Sequence, residues 1–250
     1  IQKFSPNGKF LAKWGNRGTG QLQFLSPSSL AVDREGNIYV SDTENHRIQK
    51  LSPDGNLLAI WGSNGDGNGQ FRYPEGIAVD SQGNIYVADW DNHRLQKFDS
   101  SGKFIGKWGT KSRDEGQFVY PRGVAIDEFG NVYVADSGNN RVQKFDADGK
   151  LLQIFGTYGN GDGQFWSPRG VAIDAYGNIC IVDWGNNRIQ KLDPNGGFLA
   201  KWGIGGTAPD QFQEPWSVAL DNSGYIYVAD NKNNRIQKLD QFGNFISRWG

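Results

Sequence analysis

The sequence predicts an all-β chain folded as a β-propeller of four-stranded antiparallel blades, and three observations carry the prediction. A tripeptide of the type Ile-Gln-Lys returns at Ile1, Ile48, Leu95, Val142, Ile189 and Ile236, always 47 residues apart. Each interval holds four short runs rich in Val, Ile, Tyr, Phe and Trp. The breaks between runs read Asp-x-x-Gly-Asn, Asp-x-x-Asn-x-Arg and Asp/Ser-x-x-Gly-Lys, which are hairpin chemistries rather than helix caps. Repeated four-stranded modules of this length without helices are the signature of propeller blades. A linear solenoid is the rival. Apolar residues occupy both faces of the first two strands, as in Ile77-Ala78-Val79 and Ile85-Tyr86-Val87, so each sheet needs cover on both sides, and radial stacking supplies it.

One module read from Gly69 justifies each element in turn. A loop Gly-Gln-Phe-Arg-Tyr-Pro leads into strands expected at 76–80, 84–89, 94–98 and 104–108. Gly83 and Gly102 suit the positive φ of short hairpin loops, and Asp80 and Asp99 can accept hydrogen bonds from their own turns. Gln-Phe recurs at Phe24, Phe71, Phe118, Phe165 and Phe212. The aromatic-glycine pair recurs at Trp14, Trp61, Trp108, Phe155, Trp202 and Trp249, where it ends the outermost strand and is expected to cover a blade edge. Residues 1–15 supply only the third and fourth strands of a module, and five complete modules follow, so 1–250 reads as a single propeller domain of five and a half blades.

Composition narrows the function classes. The formal charge is -1, which removes the simplest electrostatic argument for nucleic acid or anionic lipid. No run approaches 18 apolar residues, so no bilayer span and no membrane partner are expected. A targeting peptide is expected to be absent or already removed, and the lack of methionine suggests a trimmed domain of a longer parent. One cysteine, Cys180, precludes an internal disulfide, and two histidines, His46 and His93, leave little for a metal cluster. Cytoplasm and a prokaryotic cell surface both fit, so localisation stays open.

Comparison of the modules with one another separates scaffold from candidate site. Asp42, Asp89, Asp136, Asp183 and Asp230 are each followed five residues later by an arginine, which reads as a repeated structural ion pair. Alternating strand direction places the Gly-Gln-Phe loop and the Asp-x-x-Asn-x-Arg hairpin on one rim, called the top. There the modules differ most. The residue after the hairpin Asp is Thr43, Trp90, Ser137, Trp184 or Asn231, and the residue after the loop Pro is Ser28, Glu75, Arg122, Arg169 or Trp216. Tryptophan and arginine dominate binding hot spots, and loops carry function. The candidate ligand-binding residues are therefore Trp90, Trp184 and Trp216 as apolar anchors, Arg122, Arg169 and Glu75 as orienting charges, and Tyr73, Tyr120 and Trp166 as an extension. Catalytic residues, cofactors and metal ligands are not expected. Cys180 reads as a buried, inert thiol, and the glycine-rich segments 64–69 and 159–163 as flexible turns rather than calcium loops.

The run Ser41-Asp42-Thr43-Glu44-Asn45-His46-Arg47-Ile48-Gln49-Lys50-Leu51, preceded by Leu30-Ala31-Val32-Asp33 and Asn37-Ile38-Tyr39-Val40, resembles the NHL repeat. The motif reads Asn45-His46-Arg47 and Asn92-His93-Arg94, then departs to Asn139-Asn140-Arg141, Asn186-Asn187-Arg188 and Asn233-Asn234-Arg235. The resemblance covers the whole chain and implies a propeller that usually closes with six blades, so a six-fold arrangement with one incomplete blade is expected, with five blades as the alternative. It implies much less about function, because NHL propellers include binders of RNA or protein, a peptide-amidating lyase and many prokaryotic proteins without an assigned activity. The lyase implies a metal site with several histidines, and that ligand set is missing. The expectation is a non-enzymatic scaffold that recognises a peptide, protein or glycan through its top rim. The alternatives are single-stranded RNA binding around Arg122 and Arg169, self-assembly through the open half-blade and, last, a lyase-like enzyme.

Overall fold

The computed structural model describes residues 1–250, and its regular elements are β-strands and five single-turn 3-10 segments. The chain forms two compact units, Ile1–Val124 and Ala125–Gly250, and passes from one to the other inside the strand Pro121–Ile126. The first unit opens with a two-stranded antiparallel sheet, Gln2–Phe4 with Phe10–Lys13. A four-stranded antiparallel sheet follows, Pro27–Val32, Ile38–Asp42, Arg47–Leu51 and Leu57–Trp61, and then another, Pro74–Val79, Ile85–Asp89, Arg94–Phe98 and Phe104–Trp108. Strand Pro121–Ile126 begins a third sheet that continues in the second unit with Val132–Asp136, Arg141–Phe145 and Leu151–Phe155. The second unit adds the sheets Pro168–Ile173 to Phe198–Trp202 and Pro215–Leu220 to Phe245–Trp249.

Five sheets are thus complete, five blades rather than the expected six-fold arrangement with one incomplete; the remaining strands form three two-stranded sheets, the opening antiparallel pair and two short parallel pairs, Asn16–Arg17 with Gln23–Phe24 and Thr157–Tyr158 with Gln164–Phe165. The expected strands are present, with the ends of the first two shifted by one or two residues, Pro74–Val79 for 76–80 and Ile85–Asp89 for 84–89. The first strand begins at Pro74 rather than Gly76, because a register irregularity opposite Asp89 gives proline a position where its missing N–H is harmless. The Asp-x-x-Asn hairpin contains a 3-10 turn, Trp90–Asn92 in this sheet, closed by His93 in the left-handed region.

In the first four sheets both faces of the second strand are buried, while in the last Tyr227 and Ala229 are only half-buried; the alternation of side chains assigns each face to a different neighbour. In the second unit Ile179 and Ile181 pack with Tyr133, Val142 and Phe155 of the preceding sheet. Cys180 and Val182 pack with Val218, Ile226 and Val228 of the following one. In the first unit Tyr39 and Ile48 meet Ile77, Ile85 and Val87 in the same way. The Gln-Phe ring plugs each seam: Phe71 is fully buried in one cluster and Phe165 in another. Gly62 makes room for Phe71, since it has φ +100° and a Cβ there would stand 2.6 Å from the ring. The edge-covering reading of the outer aromatics is seen at Trp61, which lies 2.7 Å from where a Cβ of Gly102 would stand in the next sheet.

The repeated Asp-Arg pair belongs to a larger buried brace. Asp89 is fully buried and accepts from Arg72 N at 2.7 Å, Asn92 Nδ2 at 2.9 Å, Arg94 Nε at 2.7 Å and Gln96 Nε2 at 3.0 Å. Arg94 also donates to the carbonyls of Asp66, Gly67 and Gln70, and Gln96 Oε1 accepts from Gly69 N. The brace sews the glycine-rich loop to the hairpin, so the two occupy one rim, as alternating strand direction requires. On the other rim Tyr86 donates to Asp80 at 3.2 Å beneath Lys97. Cys180 takes that tyrosine's place in the fourth sheet, where Lys191 reaches Asp174 directly at 2.8 Å. Burial pushes the Cys180 thiol up to about 12, which fits an inert side chain.

Candidate functional site

In each module the residue after the loop Pro is the second of the first strand, and the residue after the hairpin Asp begins the 3-10 turn. In the first unit Ser28 and Thr43 are joined at 2.6 Å, and Thr43 Oγ1 donates to the carbonyl of Pro74 at 2.7 Å. Ser137 makes the corresponding bond to the carbonyl of Pro168 in the second unit. A small hydroxyl at this position therefore ties one blade to the next. A tryptophan cannot, and the two modules that carry one place the ring over a guanidinium.

Trp90 is the hub of the first unit's rim. Arg122 lies over its ring at 5.2 Å, Tyr120 packs on it at 4.7 Å and Tyr73 meets it edge-on at 6.1 Å. Arg122 Nη1 donates to both carboxylate oxygens of Glu75 at 2.6 Å, and both side chains are largely buried. The six-membered set Tyr73, Glu75, Trp90, Tyr120, Arg122 and Lys111, whose ammonium stands 5.9 Å above Tyr120, is thus assembled from two neighbouring blades and their flanking loops.

In the second unit Arg169 is held between two indoles, 4.1 Å from Trp184 and 3.9 Å from Trp216. Trp166 stands apart from this sandwich. It is 49% exposed, meets Tyr158 edge-on at 6.4 Å, and leans on Gly185, whose Cβ would strike the ring at 2.4 Å. The indole N–H groups of Trp90 and Trp184 are buried without a hydrogen-bond partner, as is that of the edge-covering Trp61, so this feature does not separate site from scaffold. Tyr158, 66% exposed, was not singled out in the sequence; its signal is the lone aromatic in the otherwise small and polar loop 156–163.

The histidines also have a place in the rim. His46 Nδ1 accepts from Tyr73 N at 3.1 Å and His93 Nδ1 from Tyr120 N at 3.0 Å. Burial holds both imidazoles below the usual histidine range; Asp89 opposes this at His46, while at His93 Lys111 adds to it and Asp91 opposes it. No group of three or more His, Cys, Asp and Glu side chains comes together to hold a metal ion, and no helix is long and apolar enough to cross a membrane.

These features, four-stranded antiparallel sheets repeated every 47 residues around loop-borne variable positions, define a β-propeller. The family model of the NHL repeat matches residues 24–51, 71–98, 118–145, 165–192 and 212–239, more than half of the chain. The chain belongs to the NHL-repeat family. No curated protein sequence matches it. Among solved structures it is similar to one from a nidogen/laminin complex, with 20% identity and a TM-score of 0.71 over 93% of this chain and 83% of that one. It is also similar to a streptogramin B lyase, with 17% identity and a TM-score of 0.66 over 90% of this chain and 70% of that one. A catalytically inactive virginiamycin B lyase from Staphylococcus aureus, with quinupristin, has 14% identity and a TM-score of 0.67 over 98% of this chain and 75% of that one. At these identities the likeness is one of fold.

Proposed function

We propose that the chain is a non-enzymatic binding or scaffolding propeller that recognises a peptide, protein or glycan through its loop rims. One observation carries the reading: the positions that vary among modules collect Trp, Tyr and Arg into compact clusters, edged by exposed Tyr73, Tyr158 and Trp166. The nidogen/laminin neighbour supports a protein as the partner. Arrays of peptides and of glycans test the proposal, with wild type compared against Tyr73→Ala and Trp166→Ala, whose side chains are the more exposed. Binders lost in either variant support it; the absence of any binder, or binding indifferent to both changes, overturns it.

Single-stranded RNA is less well supported, because Arg122 is engaged by Glu75 and Arg169 is covered on both faces by indoles. Oligonucleotide binding that falls steeply with salt and vanishes in an Arg122→Ala/Arg169→Ala variant would move RNA ahead. A six-fold arrangement would need two more strands beside Gln2–Phe4, and the unpaired edge of that strand favours self-assembly as a further role. Light scattering at rising concentration decides it, and a constant monomer mass counts against it.

A further inference from the structure

Four side chains close the joint between successive rim loops in the same way. Asn140 Oδ1 accepts from Ser167 N at 2.8 Å, and Asn187 Oδ1 accepts from Glu214 N at 2.8 Å. In the first unit the acceptor is instead Nδ1 of His46 or His93, and the donors are the amides of Tyr73 and Tyr120. All four donors lie in the left-handed region, with φ of 55°, 54°, 50° and 48° at Tyr73, Tyr120, Ser167 and Glu214. That conformation is unfavourable for non-glycine residues, and the acceptor gives the N–H of each strained residue a partner.

An amide oxygen accepts at any pH. An imidazole nitrogen accepts only while unprotonated, and an imidazolium presents N–H at both ring positions. The two tyrosines held in this way flank Trp90: Tyr73 touches His46 at 4.7 Å and Trp90 at 6.1 Å, and Tyr120 touches His93 at 4.5 Å and Trp90 at 4.7 Å. We propose that His46 and His93 make the first unit's rim an acid-releasable surface, in which protonation turns each Nδ1 from acceptor to donor and frees the Tyr73 and Tyr120 loops from Trp90, while the Asn-closed joints of the second unit stay shut. The groups around the imidazoles are Asp89 facing His46, and Asp91 and Lys111 facing His93. The carboxylates favour the released state, and burial together with Lys111 favours the closed one. The consequence for ligands rests on the binding reading above, but the joint itself does not.

Amide hydrogen exchange followed by NMR tests the joint without any ligand. Between about pH 7.5 and about pH 5, where imidazole titrates, protection of the Tyr73 and Tyr120 amides, corrected for intrinsic rate, should fall by about tenfold or more relative to Ser167 and Glu214. His46→Asn/His93→Asn installs the second unit's acceptor and should make all four amides insensitive to pH. If Tyr73 and Tyr120 track Ser167 and Glu214 in the wild type, or if the acid loss survives in the Asn variant, the proposal is overturned. Imidazole nitrogen shifts of the wild type give a reading that needs no variant: both rings should be neutral with the proton on Nε2, and a proton on Nδ1 at neutral pH would overturn it. Failure here leaves the array test of binding untouched, and failure of the arrays leaves the joint standing.

Discussion

Asp183→Asn tests whether the repeated Asp-Arg-Gln brace is scaffold. Asp183 Oδ1 accepts from Trp166 N at 2.8 Å, and Oδ2 accepts from Arg188 Nε at 2.7 Å and Gln190 Nε2 at 3.1 Å, with Asn186 Nδ2 donating to both. Every partner is a donor. An asparagine of the same shape has one acceptor oxygen, which can keep Trp166 N, but its NH2 then faces Arg188 and Gln190. The substitution removes a charge-assisted bond and leaves the guanidinium of Arg188, 9% exposed, without its counter-charge. Breaking a buried pair from one side costs about 3–5 kcal/mol. Arg188 keeps the carbonyls of Gly161 and Gln164, which places the expected loss near the lower end, about 3 kcal/mol. For a chain of this size that is a fall in Tm of roughly 6–12 °C. Urea unfolding followed by circular dichroism measures it. A loss below about 1 kcal/mol would mean that the pair behaves as an exposed one, and the scaffold reading would fail.

Four further outcomes follow from the geometry. Folding stability should decline as pH falls below about 6.5, the unfolded histidine value, until the lowered folded values are passed, because the unfolded chain binds the protons first. His46→Asn/His93→Asn should flatten that slope in urea titrations, and an unchanged slope would assign it to other groups. Gly76→Ala would place a Cβ 2.0 Å from the carbonyl oxygen of Arg122, and should cost at least about 2 kcal/mol as an overpacking change; a neutral effect on Tm would contradict the close approach. Trp90→Ala should cost roughly 2 kcal/mol, less than a fully buried tryptophan because the ring is only partly buried, so a loss under about 0.5 kcal/mol would mark the ring as an idle platform. Cys180 should resist a thiol-reactive dye in the native state and react once unfolded, and native labelling would refute its burial.

The parts that were legible in the sequence are those set by local chemistry. Alternating apolar residues with Gly, Asp and Asn breaks specify strands and hairpins wherever they occur, so the run Arg94–Phe98 matches its expected bounds and the run opening at Pro74 starts two residues early, across a bulge that offsets the register by one. The repeat register also identified the rim positions, because equivalent residues of equivalent modules must lie on one edge. It did not reveal what those residues touch. Glu75 and Arg122 are 47 residues apart, and so are Arg169 and Trp216, so each contact depends on how far one sheet is rotated against the next. The acceptor role of His46 was hidden for the same reason, since its donor is 27 residues on; the substitution of His by Asn at equivalent positions was the one trace of it.

By itself, then, the sequence determined the module: its length, its four strands, its turns and the buried charge pair that every copy repeats. These follow from backbone preferences and the period of two, which act over a few residues. Only the packing of sheet on sheet decided that Arg122 is claimed by Glu75, that Arg169 lies between Trp184 and Trp216, that Trp166 is left exposed, and that two imidazoles rather than amides close the joints of the first unit. Those contacts join residues of different modules, and a side chain's partner across a seam is fixed by the twist and spacing of both sheets, which neither module carries alone.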